Sequence, residues 1–70
     1  SDDPLLPAAV WCAKETLYKY AGRPGLDMLY DLHVEAVDFE AGVVVGRIAD
    51  GEPLRLSLKR ADGFIVVYIL

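Results

Sequence analysis

Four side chains with chemical reach fall within nine residues: Trp11, Lys14, Glu15 and Lys19, in the string Trp-Cys-Ala-Lys-Glu-Thr-Leu-Tyr-Lys. Carboxylate oxygen suits a hard cation, and an ammonium serves phosphate as a point charge. A carboxylate one helical turn from an ammonium lets one helix face grip both. The plainer reading of Glu15 and Lys19 is an i,i+4 ion pair on an amphipathic helix, worth about 0.3–0.5 kcal/mol. Elsewhere reactive side chains stand alone. His33 has no partner at useful spacing, and Cys12 reads as a structural thiol, since the only histidine lies in another element. Tyr18, Tyr20, Tyr30 and Tyr68 read as core and interface aromatics, because no basic surface accompanies them for base stacking. Arg47, Arg55, Lys59 and Arg60 gather in the second half of the chain. They read as a solvated strand face that discourages edge pairing, and alternatively as a dock for an acidic partner. Arg23 is a further candidate phosphate contact.

The elements that must position these groups follow from spacing. Pro7 opens a helix that runs to Tyr20, Gly22 supplies its C-terminal cap, and Pro24 prevents continuation. Val10, Ala13, Leu17 and Tyr20 form the expected apolar stripe, flanked by Trp11 and Tyr18. Glu15 and Lys19 take the other face, with Lys14 at its edge. Gly22 to Gly25 is a turn, and Leu26 to Asp31 reads as either loop or a short helical turn.

From Leu32 onward the chain reads as a β-meander. Leu32 to Phe39 and Val43 to Ile48 are strands separated by a turn at Glu40-Ala41-Gly42. Leu54, Leu56 and Leu58 alternate with Arg55, Ser57 and Lys59, which marks a strand with one wet face. Asp62-Gly63 turns the chain into Phe64 to Leu70. That run is apolar without alternation and is expected to be a central strand covered on both faces. The fold class is therefore α+β, with one N-terminal helix followed by an antiparallel β-meander. One helix covers one sheet face, and the other face needs a partner.

Size and charge narrow the function. Seventy residues make one small domain or part of a larger one, yet 54% of them are apolar. No disulfide or zinc cluster reinforces so small a core, so apolar surface is expected to meet a second subunit or a missing half of the protein. A net charge of −4 disfavours nucleic acid bound through a broad basic surface. No apolar run reaches the roughly 18 residues of a membrane span. The unpaired cysteine fits a reducing cytoplasm.

The spelling Trp11-x-x-Lys14-Glu15-x-x-x-Lys19 resembles the helix motif of the Sfp-type 4′-phosphopantetheinyl transferase superfamily. The Gly-rich turn into Leu26 and the β-meander to a hydrophobic final strand match that family's layout over nearly the whole chain, as its C-terminal segment. The resemblance implies transfer of the phosphopantetheine arm of coenzyme A to a serine of an apo carrier protein of fatty-acid, polyketide or peptide synthesis. The cofactor implied is Mg²⁺. By matching position, Glu15 is the metal ligand and helps deprotonate the serine. Lys14 and Lys19 contact the coenzyme A phosphates, and Trp11 packs beside them.

One part of the family's pattern is missing. An Asp-x-Glu strand precedes the helix in these enzymes and supplies the other metal-binding carboxylate. Only ten residues precede Trp11 here, with Asp2 and Asp3 as the sole acidic candidates. The string Ala36-Val37-Asp38-Phe39-Glu40 looks similar but follows the helix and ends in a turn. The expectation is thus half a site, completed by an N-terminal half or a second subunit. The alternative is a non-catalytic α+β dimerisation or interaction domain.

Overall fold

The computed structural model describes residues 3–70. Helix α1 spans Leu6–Ala21, within one residue of the expected bounds at each end. Its start is tied down from outside: the Leu5 N–H donates to Asp3 Oδ1 at 2.9 Å, and the Leu6 N–H donates to the Asp3 carbonyl at 3.1 Å. These bonds use donors that a helix start leaves unpaired, and Pro7 in the first turn has no such donor. At the other end Gly22 takes the left-handed conformation, φ 64°, and its N–H donates to the Tyr18 carbonyl. A side chain at Gly22 would be strained there.

The buried face of α1 differs from the expected stripe. Ala9, Ala13 and Leu17 are fully buried, whereas Tyr20 is exposed and Val10 half-buried. Small side chains face the sheet because the helix lies close to it. A Cβ added at Gly46 would stand 2.8 Å from Leu17 Cδ1, so the bare glycine is what lets Leu17 seat on the sheet.

Four strands follow: β1 Leu32–Asp38, β2 Val43–Ile48, β3 Leu54–Ala61 and β4 Phe64–Tyr68. They pair antiparallel in sequence order. The register shifts between Val34 and Ala36, which marks a bulge in β1. Val34, Val37, Ile48, Leu54, Leu56, Leu58, Ile65 and Val67 join the core with α1. Leucines and basic residues of β3 separate as the alternation predicts: Leu56 and Leu58 are buried while Arg55 and Lys59 are exposed.

Strand β4 corrects the sequence reading. It is an edge strand and is covered on one face only. Ile65 and Val67 pack on the core, but Phe64 and Val66 remain 59% and 47% exposed. A meander in sequence order places its last strand at an edge, and among the described residues no second layer covers the other face. Helix α1 reaches this edge through Thr16, whose hydroxyl lies 3.1 Å from the Val67 carbonyl and 2.8 Å from the Cys12 carbonyl. Its single proton serves one of the two at a time.

Residues 22–31 form a compact turn. Asp27 Oδ1 accepts the Leu29 and Tyr30 N–H groups, and Asp31 Oδ2 accepts the Asp27 N–H. The Asp31 N–H returns to the Asp27 carbonyl at 2.8 Å. Aspartate side chains so close the turn locally, as their geometry favours. Among the described residues no helix is long and apolar enough to cross a membrane.

Candidate functional site

The outward face of α1 holds the four singled-out residues. At about 100° per residue, Trp11, Glu15 and Lys19 fall within about 80° of helix surface. They share one open cleft of about 340 Å³ with Tyr18, Leu26 and Met28. Trp11 is 54% exposed, and Glu15 and Lys19 are exposed. The turn of residues 22–31 supplies the opposite wall, so the local bonds of Asp27 and Asp31 fix where Leu26 and Met28 stand.

Lys14 is held differently. It is half-buried, and its Nζ donates to the Met28 carbonyl at 2.9 Å. That bond ties the turn to α1. Lys14 lines a second groove on the other side of Trp11, about 520 Å³, with Leu6, Pro7, Val10, Met28 and Leu29. Trp11 and Met28 therefore form the ridge between the two openings. One of the three ammonium N–H groups of Lys14 is used, and two remain for a ligand.

Glu15 and Lys19 do not form the i,i+4 ion pair. The ion pairs among the described residues are Arg47–Glu35 and Arg60–Asp3. No hydrogen bond within the described chain uses the Glu15 carboxylate or the Lys19 ammonium, so both present their full bonding capacity to the cleft.

Asp3 is a structural residue. Its carboxylate accepts the Leu5 N–H just ahead of α1 and pairs with Arg60, 2.9 Å away. The backbone hydrogen bond and the guanidinium hold its pKa below the ordinary value. Arg60 also lies over the Phe39 ring, 4.7 Å from its centre. Asp2 lies outside the described residues. Asp38 is used in its own turn, where Oδ1 accepts the Ala41 N–H at 2.9 Å.

A hard divalent cation meets one carboxylate in this cleft, Glu15. Among the described residues no group of three or more His, Cys, Asp or Glu side chains is placed to hold a metal. One protein carboxylate is enough for Mg²⁺ only when substrate phosphates, water or a further chain complete the shell.

Sequence reasoning grouped Trp11, Lys14, Glu15 and Lys19; the structure brings Trp11, Glu15 and Lys19 to one cleft, sets Lys14 in the neighbouring groove, and adds a wall that the sequence did not show. Tyr18 carries a signal, being one turn from Glu15. Leu26 and Met28 carry none, because only the folded turn brings them to the helix. No protein-family model, no curated protein and no solved structure matches the chain.

Proposed function

We propose that this chain supplies the Lys-Glu-x-x-x-Lys half of a Mg²⁺-dependent 4′-phosphopantetheinyl transfer site, with coenzyme A as donor and an apo carrier protein as acceptor. The observation that supports this reading is the shared cleft: Trp11, Glu15 and Lys19 line one opening, and neither charge is neutralised by the other. Glu15 would hold the metal and take the proton of the carrier serine, directly or through water, as the serine oxygen attacks the phosphopantetheine-bearing phosphorus and the pyrophosphate P–O bond breaks, releasing 3′,5′-ADP. The ion neutralises charge on the pyrophosphate when bound. Lys19, on its flexible stem, meets phosphate oxygen from the same helix face. Lys14 reaches phosphate with the two N–H groups that Met28 leaves over, while it holds the turn in place. Trp11 walls the cleft and limits water at one side. The second carboxylate comes from an N-terminal half or a second subunit.

The test is the intact mass of an apo carrier protein after incubation with coenzyme A, MgCl₂ and the protein. Both the 70-residue chain and its full reading frame are used. A phosphopantetheine-sized gain with the full frame alone is the expected result. Glu15→Ala then lowers the rate by about 10²-fold or more, the scale of losing a charge-stabilising group. A normal rate in that variant sinks the assignment of Glu15. No gain with carriers of fatty-acid, polyketide and peptide synthesis sinks the enzyme reading and leaves the interaction domain.

A further inference from the structure

The sheet has a second face, and its composition names what it fits. Cross-strand register sets the rows on the side away from α1: His33 beside Arg47, Ala36 beside Val45 and Arg55, then Asp38, Val43, Ser57 and Tyr68, then Lys59 beside Val66. Val43 and Val45 are half-buried by their neighbours in the sheet yet take no part in the core. The middle of this face is thus a low, small-residue strip of Ala36, Val43, Val45 and Ser57. Cations border it at both ends, Arg47 and Arg55 at one and Lys59 at the other.

Charge on this face is opposite to that of the whole chain. The net charge is −4, but the open face carries three cations, Arg47, Arg55 and Lys59, against two carboxylates, Asp38 and the Glu35 of the bulge. Asp38 is already engaged by the Ala41 N–H. Arg47 shares its charge with Glu35 at the bulge. Arg55 and Lys59 form no ion pair among the described residues. Arg60, which sequence alone groups with them, points to the helix side and pairs with Asp3.

We infer that the open sheet face docks an acidic amphipathic helix of a partner protein. Sheets bury an apolar face against a second layer, and a helix about 10–12 Å across covers roughly the two central strands, β2 and β3. Arg55 and Lys59 are four residues apart on one strand, about 13 Å. Carboxylates seven or eleven residues apart on one face of a helix bracket that span. A second copy of this chain would set Arg55 and Lys59 against like charge. Nucleic acid gains little from three cations on a chain of net charge −4. The face lies across the sheet from Glu15 and Lys19, so its occupant is not the acceptor of the transfer chemistry, and the inference stands apart from that reading.

The test is an NMR titration of the ¹⁵N-labelled chain with three probes. One is a helical peptide with an Ala/Leu face flanked by glutamates at the stated spacing. Its lysine counterpart and an oligouridine are the others. The acidic peptide is expected to shift the amides of Val43, Val45, Arg55, Ser57 and Val66, and to bind more weakly as salt rises. Arg55→Glu/Lys59→Glu is expected to weaken it by about tenfold or more. Unchanged α1 amide shifts in that variant show that the fold is kept. Any of three results overturns the inference: no shifts on this face at millimolar acidic peptide, equal binding of the lysine peptide, or oligouridine binding through these same residues.

Discussion

Lys14 and Lys19 carry the same charge in unlike settings, and single substitutions separate them. Lys14→Met keeps the packing of the stem and removes the bond to the Met28 carbonyl. It is expected to lower stability by about 0.5–1.5 kcal/mol, the worth of one such hydrogen bond, in urea denaturation. Lys19→Met, at an exposed position without a partner, is expected to stay within about 0.5 kcal/mol of the parent. Equal stability of both variants would remove the tether from the account. Asp3 makes a pH prediction. Its folded pKa lies below the ordinary 3.8, because the Leu5 N–H and then Arg60 favour the charged form. A depressed carboxylate contributes stability that is complete above the unfolded value and is lost as pH falls through the folded value. Asp3→Asn should therefore be less stable than the parent at pH 7, with the gap closing as pH is lowered from 3.8. A gap that stays constant into acid would show that the charge of Asp3 is not what matters. At this scale the shared helix face of Glu15 and Lys19 was legible from their spacing. The tether made by Lys14 was not, since it depends on a carbonyl fourteen residues away that only the folded turn delivers.

Between helix and sheet, two contacts decide how closely the layers approach. Gly46→Ala places a methyl 2.8 Å from Leu17 Cδ1 and 3.2 Å from the His33 carbonyl. Overpacking of that kind costs about 1–3 kcal/mol, and a matching fall in thermal midpoint by circular dichroism is the expected outcome. Thr16→Val removes the hydroxyl shared between the Cys12 and Val67 carbonyls. About 1 kcal/mol should be lost, with faster amide exchange in β4 as the mark that the edge has loosened. The elements themselves were readable because each carries local punctuation: Pro7 and Gly22 around α1, alternation in β3, and Asp62-Gly63 before β4. Two features escaped. Hydropathy weights Val10 and Tyr20 above Ala9, although the close approach at Gly46 demands the small residue. An unbroken apolar run such as Phe64 to Leu70 reads alike in a central strand and in an edge strand whose outer face is open.

The whole molecule is held by little. Among the described residues its core consists of seven buried side chains, the largest fully buried ones being Leu17, Leu32, Leu56 and Val44, and no polar or charged residue is buried. Its radius of gyration, 11.5 Å, is nevertheless close to the roughly 11 Å of a compact chain of this length. Trp11 reports on the site from this frame. Being 54% exposed, it should emit as a solvated indole and be quenched freely by acrylamide. Coenzyme A with MgCl₂ should reduce that quenching if the cleft is where the donor binds, and unchanged quenching at saturating donor would place binding elsewhere. The strand order has a temporal side as well. Every strand pairs with its neighbour in sequence, so the sheet assembles from short loops, which folds quickly. Helix α1 is the exception: Thr16 meets Val67 across 51 residues, and Asp3 meets Arg60 across 57. During synthesis β1 and β2 reach the helix first, and β4, which completes its cover, comes last. At about 5–20 residues per second, Thr16 waits roughly 2–10 s for its β4 partner Val67, a window in which a chaperone or a partner can reach that edge of the helix first.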